Sequence, residues 1–543
     1  MASSGPVGSR YTDRDVSTRA YEYELAAASG VFLALSFPKY GHPAFGWIAL
    51  TPLLVALAST GRQVPSRPEH PLRRAFALGF VAGAIYLTGT LYWITRVMVV
   101  YGGIGAWLAA PINGALVAYL ALFPAVFAVV VRRLVMAHGV MALMTAPVVW
   151  VATELGRTYL LTGFPWVLLG YSQATVLPVA QLASIFGVYG VSMLVAAVSA
   201  ALAIVAVTAG APHGRHDRRF GPLVATLVVV VVVAVWGGRR AAASEWTRAG
   251  VPVRVGLVQG NVDQGEKWEA SRAARIFEDH LRLTRQALRE GAEFVLWPES
   301  STPFRLEDDA LDAERLRAIA RQAKTPILVG SDQIEWTVVN GQRVPARWFN
   351  AAFLLRADGA TAGVYRKMHL VPFGEYVPLQ RMLFFAGPLV EQVGTFAEGE
   401  RAELLPVDGH PVSVSICYEV VYPELVREFV RGGSELLTTI TNDAWFGRTS
   451  APYQHFEQAS MRAIEEGRYL VRAANTGVSG IVDPYGRVLE RTDVFQQTVV
   501  VGEARFLRVS TFYARHGDLL ADASLLCTVA VLAASRRKRP RAP

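Results

Sequence analysis

Cysteine is nearly absent from this 543-residue chain, which holds two, Cys417 and Cys527. So few sulfurs exclude a disulfide framework and a cysteine-rich metal site. Charge is scarce too. Charged residues make up 18% against 52% hydrophobic, short of the roughly 25% charged of an ordinary soluble domain, so neither a disordered nor a wholly soluble chain fits. The ten histidines fall in no H-E-x-x-H or other close ligand spacing, and no glycine-rich phosphate loop is present. No metal and no cofactor are therefore expected. The first apolar run is not followed by a small-residue cleavage pattern, so it reads as a retained span and not a removed signal.

What the chain has instead is long uncharged runs. They lie at 25–38, 44–59, 75–94, 104–131, 140–153, 176–207, 222–236 and 519–534. A membrane-crossing helix needs about 20 apolar residues, so these predict about eight spans with soft boundaries. Run 176–207 is long enough to tilt or to include an interfacial helix. The formal charge of +9 has a topological reading. Arg10, Arg14 and Arg19, then Arg62, Arg67, Arg73 and Arg74, then Arg132 and Arg133, then Arg215, Arg218 and Arg219, and finally the tail Arg536–Arg541 all fall on one side of an eight-span arrangement. The opposite short loops hold little besides Lys39, Arg96 and Arg157. The excess of Lys and Arg marks the cytoplasmic side. Both termini are thus expected in the cytoplasm and the charged region after the seventh span outside, although Arg239 and Arg240 run against the rule. The basic residues serve as anchors, and no nucleic-acid partner is expected. The organisation predicted is a cytoplasmic arm over 1–23, a membrane domain with seven spans over 24–238, an extracytoplasmic domain over 239–517, an eighth span over 518–535 and a basic cytoplasmic tail over 536–543.

Residues 239–517 read as a layered α/β domain with a mixed sheet. Strands are predicted at 253–261, 294–297, 326–330, 348–355, 362–365, 412–417, 436–441 and 478–482. Helices are predicted at 271–290, 312–323 and 453–474, the first from Ala273, Phe277, Leu281 and Leu288 at helical spacing. Three residues at strand ends or in turns could do chemistry. Cys417 follows the strand 412–416, just before a helix near Pro423, where a nucleophile stands on a rigid edge beside backbone N–H groups able to meet an oxyanion. A bridge to Cys527 is improbable, since Cys527 lies inside the last apolar run. Glu299 closes the strand 294–297 after Pro298 and could serve a thiol as general base. Lys367 could lower a thiol pKa and stabilise an oxyanion. Taken singly, these are also an ordinary buried cysteine, turn carboxylate and solvated lysine.

In chain order they form a pattern. Trp297-Pro298-Glu299, the run Lys367-Met368-His369-Leu370-Val371-Pro372-Phe373-Gly374-Glu375 and Ile416-Cys417-Tyr418-Glu419 resemble the Glu-Lys-Cys triad of the nitrilase superfamily. The match extends to Gln259-Gly260-Asn261, Thr441–Gly447, Arg472–Gly480 and Thr162-Gly163-Phe164-Pro165-Trp166, and over nearly the whole chain it resembles the apolipoprotein N-acyltransferase family. The resemblance implies a polytopic α-helical membrane bundle carrying an α/β nitrilase-like α-β-β-α sandwich, in the bacterial cytoplasmic (inner) membrane. It implies Cys417 as nucleophile, Glu299 as general base, Lys367 as the cation beside the thiolate, and Glu375, Tyr418, Glu419 and Trp268 as supporting residues. The expected partners are membrane lipid, a phospholipid acyl donor and a diacylglyceryl apolipoprotein acceptor, with transfer through a Cys417 thioester. A membrane-tethered nitrilase-type amidase or hydrolase would use the same triad with water as acceptor. A transporter or scaffold with an inactive nitrilase-like domain is disfavoured by the intact Glu, Lys and Cys and by the scarcity of ionisable residues in the spans, Glu154 and Arg157 being the main exceptions, expected near a span end.

Overall fold

The computed structural model describes residues 9–59, 70–209, 216–265, 267, 269–372, 374–376 and 396–537. Among them, four helices are long and apolar enough to cross a membrane: Pro71–Val100, Ala106–His138, Ala183–Thr208 and Phe220–Arg248. The other expected spans are shorter or differently divided. Run 25–38 forms the end of helix Ser9–Ala34, run 44–59 a 3-10 turn followed by helix Thr51–Ser59, and run 140–153 another such turn followed by Ala146–Tyr159. The last apolar run is helix Leu519–Arg537. The long run 176–207 is divided. A short turn, Leu177–Ala180, precedes Ala183–Thr208, which is itself broken at Gly187, where φ is +62. The Tyr513 ring lies against Gly187, so a Cβ there would fall 2.5 Å from it.

Small residues let the bundle close. Gly79 and Gly83 of Pro71–Val100 face Pro124 and its neighbours on Ala106–His138, and a Cβ on Gly79 would lie 2.4 Å from the Pro124 carbonyl oxygen. Close backbone approach of this kind is what holds apolar helices together where no hydrophobic force separates helix from lipid. Glu154 and Arg157 are buried, not interfacial. Glu154 Oε1 accepts the Leu169 N–H at 2.6 Å, and Arg157 donates to the Val167 carbonyl at 3.4 Å. They clamp the loop carrying Phe164-Pro165-Trp166.

The α/β domain has two six-stranded sheets. Its strands are β1 Val251–Gln259, β2 Phe294–Leu296, β3 Ile327–Val339, β4 Gln342–Leu355, β5 Thr361–Arg366, β6 Leu405–Val407, β7 His410–Ile416, β8 Leu436–Thr441, β9 Leu470–Ala474, β10 Gly480–Val482, β11 Val488–Arg491 and β12 Thr498–Phe506. The first sheet runs β12-β1-β2-β3-β4-β5, the second β11-β10-β9-β8-β7-β6. Each has a parallel centre, β1-β2-β3 and β7-β8-β9, with antiparallel strands outside it. Alternation along the strands explains the layering. Val255 and Leu257 point inward with Val412, Val414 and Ile440 into a core between the sheets, while Val258, Val295 and Val329 point outward against Phe277 and Leu316 of helices Ala270–Arg289 and Ala310–Ala323.

The outer helices of the second sheet, Pro423–Arg431 and Ala451–Glu466, are buried in one continuous core with the membrane bundle. Bonds cross this seam: Trp166 Nε1 donates to Gln454 Oε1 at 2.8 Å, the Val188 N–H to Glu465 Oε1 at 2.7 Å, and Tyr422 Oη to the Gly163 carbonyl at 3.0 Å. One expected element is wrong. The helix predicted to reach Ala474 stops at Glu466, Gly467 takes a left-handed φ of +66 as its cap, and Leu470–Ala474 becomes the central strand β9.

Candidate active site

The carboxyl ends of parallel strands from both sheets meet above the core, where α/β proteins place their ligand sites. Glu299 stands three residues beyond β2, Lys367 directly follows β5, and Cys417 directly follows β7. Their backbones are tied locally: the Lys367 N–H donates to the Asn350 carbonyl of β4 at 2.9 Å.

Lys367, 1% exposed, donates from Nζ to Glu375 Oε1 at 2.9 Å and lies 3.5 Å from Glu299 Oε1. Asn350 Nδ2 bridges the same two carboxylates, at 2.7 Å to Glu299 Oε1 and 3.0 Å to Glu375 Oε1. The Asn442 N–H holds Glu299 Oε2 at 2.8 Å and the Val371 N–H holds Glu375 Oε2 at 2.8 Å. Burial pulls the Lys367 ammonium down, but Glu375 and then Glu299 outweigh it and hold it above the ordinary lysine range. It is a fixed positive charge at neutral pH.

Cys417 is buried and takes φ of +53, a left-handed conformation that a side chain adopts only where the surroundings impose it. It opens a 3-10 turn, Cys417–Val421. Burial and then the Glu299 charge push the thiol well above its usual range, and the opposing pull of Lys367 does not make up the difference. A thiol held in that direction needs a base to take its proton as it attacks.

The neighbours of Cys417 face different ways. Tyr418 turns toward the membrane bundle, with its ring centroid 6.3 Å from both Phe164 and Trp166 and 5.2 Å from Tyr422. Glu419 points into the protein. It accepts the Ile416 N–H at 2.7 Å, the Met368 N–H at 2.7 Å, the His369 N–H at 3.0 Å and Tyr365 Oη at 2.7 Å, tying the cysteine turn to the lysine loop. Trp268 lies outside the described residues.

The longer motifs form the walls. Asn475 Nδ2 donates to Asn442 Oδ1 at 2.9 Å and to the Val262 carbonyl at 2.7 Å, while the Asn261 N–H reaches the Asn475 carbonyl at 2.9 Å. Asp443 pairs with Arg472 at 2.9 Å and lies 3.0 Å from His455, whose Nε2 is 3.1 Å from the Cys417 carbonyl oxygen. Sequence reasoning did not single out Asn350 or His455. The signal for Asn350 was a lone amide in the apolar run Phe349-Asn350-Ala351-Ala352-Phe353. The arrangement offers a thiol, a carboxylate to take its proton and a fixed cation to meet developing negative charge, which suits acyl transfer.

Comparison with known proteins agrees with both halves of the molecule. Residues 29–201 match the family model "Apolipoprotein N-acyltransferase N-terminal domain", and residues 254–511 match "Carbon-nitrogen hydrolase". A Geobacter metallireducens protein named apolipoprotein N-acyltransferase is 41% identical over 98% of this chain and 98% of its own length. Relatives of the same name from Methylococcus capsulatus and Azotobacter vinelandii are 34% and 35% identical, covering 95% and 90% of this chain and 96% and 90% of their own lengths.

Proposed function

The chain belongs to the apolipoprotein N-acyltransferase family, and from that premise we propose a two-step transfer through Cys417. The protein is an acyltransferase that N-acylates lipoproteins. In the first step the Cys417 sulfur attacks the ester carbonyl of a phospholipid acyl chain while Glu299 takes the thiol proton. The tetrahedral oxyanion forms beside Lys367, whose charge is fixed by Glu375 and Glu299. Collapse breaks the C–O bond, the departing alkoxide takes the proton from Glu299, and a lysophospholipid leaves a Cys417 thioester. In the second step the α-amine of a diacylglyceryl cysteine attacks the thioester, the C–S bond breaks, and the proton lost by the amine passes by way of Glu299 to the departing sulfur, regenerating the thiol as the amide forms. Thioesters react readily with amines, so one difficult transfer becomes two easier ones.

The observation that carries this reading is the convergence of Glu299 and Lys367, buried and 3.5 Å from each other, on the charge environment of the Cys417 thiol. Glu375 holds Lys367 in place, and Tyr418 lines the side facing the bundle. The continuous core joining the catalytic layer to the helices supports a site fastened at the bilayer surface, where both lipid substrates are anchored and an apolar surround can hold an acyl chain. The four long apolar helices, with the shorter apolar ones, serve as up to eight spans of an inner-membrane protein. Its catalytic layer over 239–517 faces outward, in keeping with the basic residues of the arm, loops and tail. The direct test gives the purified protein a phospholipid and a diacylated lipopeptide. A lipopeptide heavier by one acyl chain is expected, and release of free fatty acid with no change in the lipopeptide would make the enzyme a hydrolase.

A further inference from the structure

A second buried ion cluster reaches Cys417 through its backbone and not its thiol. Asp443, His455 and Arg472 are each 0% exposed. Arg472 Nη2 donates to Asp443 Oδ2 at 2.9 Å and lies 2.9 Å from His455 Nδ1, and Thr441 Oγ1 donates to Asp443 Oδ1 at 2.8 Å. His455 Nε2 faces the Cys417 carbonyl oxygen at 3.1 Å. A carbonyl can only accept, so Nε2 carries a hydrogen and donates it to the Cys417 oxygen, while Nδ1 lies between the Arg472 guanidinium at 2.9 Å and Asp443 Oδ1 at 3.0 Å. Burial and the Arg472 charge hold the imidazole below its ordinary range despite Asp443.

The trans peptide between Cys417 and Tyr418 is a rigid plane whose C=O and N–H point opposite ways. Fixing the carbonyl on His455 therefore fixes the direction of the Tyr418 N–H. That N–H belongs to the first residues of a helical turn, which have no partner within the turn, and among the described residues no acceptor outside the turn takes it. The left-handed backbone of Cys417 needs an external restraint of this kind.

We propose that His455 is a positioning residue for acyl transfer: by holding the Cys417 carbonyl it aims the Tyr418 amide at the acyl carbonyl under attack, so that this amide and Lys367 share the oxyanion. The inference rests on the acyl-transfer reading above. Two reactions of one thiol separate this role from packing. Loading from phospholipid passes through an oxyanion. Alkylation by iodoacetamide, in which an S–C bond forms as iodide leaves, does not. In His455→Leu, single-turnover loading should fall by about 10²-fold, the scale for a lost oxyanion donor, with donor KM and the alkylation rate within about twofold of the wild type. His455→Gln keeps an N–H able to reach the Cys417 carbonyl and should recover about tenfold of that loss. Parallel losses of loading and alkylation in both variants, or full loading in His455→Leu, would overturn the proposal. A wild-type protein alkylated at Cys417 but never loaded would remove the acyl-transfer reading itself, a separate result.

Discussion

Two buried ion clusters flank Cys417, and they differ in how their charges close. In the first, two carboxylates, Glu299 and Glu375, share one ammonium, Lys367, and one amide, Asn350. Its carboxylate side chains keep 9% and 10% of their surface exposed, so it carries spare negative charge beside the thiol. In the second, one carboxylate meets one guanidinium and one imidazole, and nothing is exposed. Burial pushes the Asp443 carboxyl up, but Arg472 and His455 outweigh it and hold it at about 2. An open cluster with a surplus carboxylate can take and return a proton. A sealed and balanced one can only hold geometry. In the proposed mechanism the first sheet supplies the acid–base chemistry, and the second supplies the nucleophile and its posture.

The contrast is broken most severely by removing the open cluster's chemistry. Glu299→Gln and Lys367→Ala should each lower acyl transfer by about 10²-fold or more, and Lys367→Arg should fail as well, since a planar fork cannot replace a compact ammonium in this site. Radiolabelled acyl transfer in detergent checks this; near-normal turnover in any of the three would take that residue out of the mechanism. The sealed cluster should fail differently. Asp443→Ala leaves a buried Arg472 without its partner and should cost about 3–5 kcal/mol of stability, read as a lowered unfolding midpoint. Glu299→Gln loses one of the two bonds accepted from Asn350 and Asn442 but strands no buried charge, so it should lower the midpoint much less, and equal midpoints for the two variants would erase the distinction. Glu375→Ala should slow acyl-enzyme formation or its breakdown by amine by on the order of tenfold, through a loosened Lys367; unchanged rates in both would reduce Glu375 to a structural charge. A pH series sharpens the picture further. A thiol raised by burial and by Glu299 gains thiolate only as pH climbs past its ordinary value, so alkylation of Cys417 should still be rising above about pH 8.5, and a plateau there would contradict the raised thiol. The smallest effect is none: Cys527→Ser, on the exposed side of Leu519–Arg537, should leave every rate unchanged.

The charged members of the open cluster were legible in the sequence because they sit in contiguous motifs, Trp297-Pro298-Glu299 and Lys367–Glu375, while Asn350, a lone amide on β4, was not. The sealed one was not. Its charged residues lay within recognised runs, but His455 is 38 residues from Cys417, and only the packing of Ala451–Glu466 on the second sheet brings them together. Tyr418 and Glu419 were both marked as neighbours of the nucleophile, yet adjacent positions on a 3-10 turn point to different surroundings, one to the bundle and one into the protein. Hydropathy located the apolar runs but not their division. Gly187 and Gly467 break a span and end a helix through left-handed backbone that apolar periodicity does not register.

The central claim is that the Cys417 sulfur carries the acyl chain, and the most direct measurement is the mass of the peptide containing it. After incubation with phospholipid and no acceptor, that peptide should be heavier by one fatty acyl group, lose it to hydroxylamine, and be discharged by a diacylated lipopeptide with appearance of the triacylated product. Full turnover in a Cys417→Ala protein, or the acyl group found on Cys527, would contradict the account.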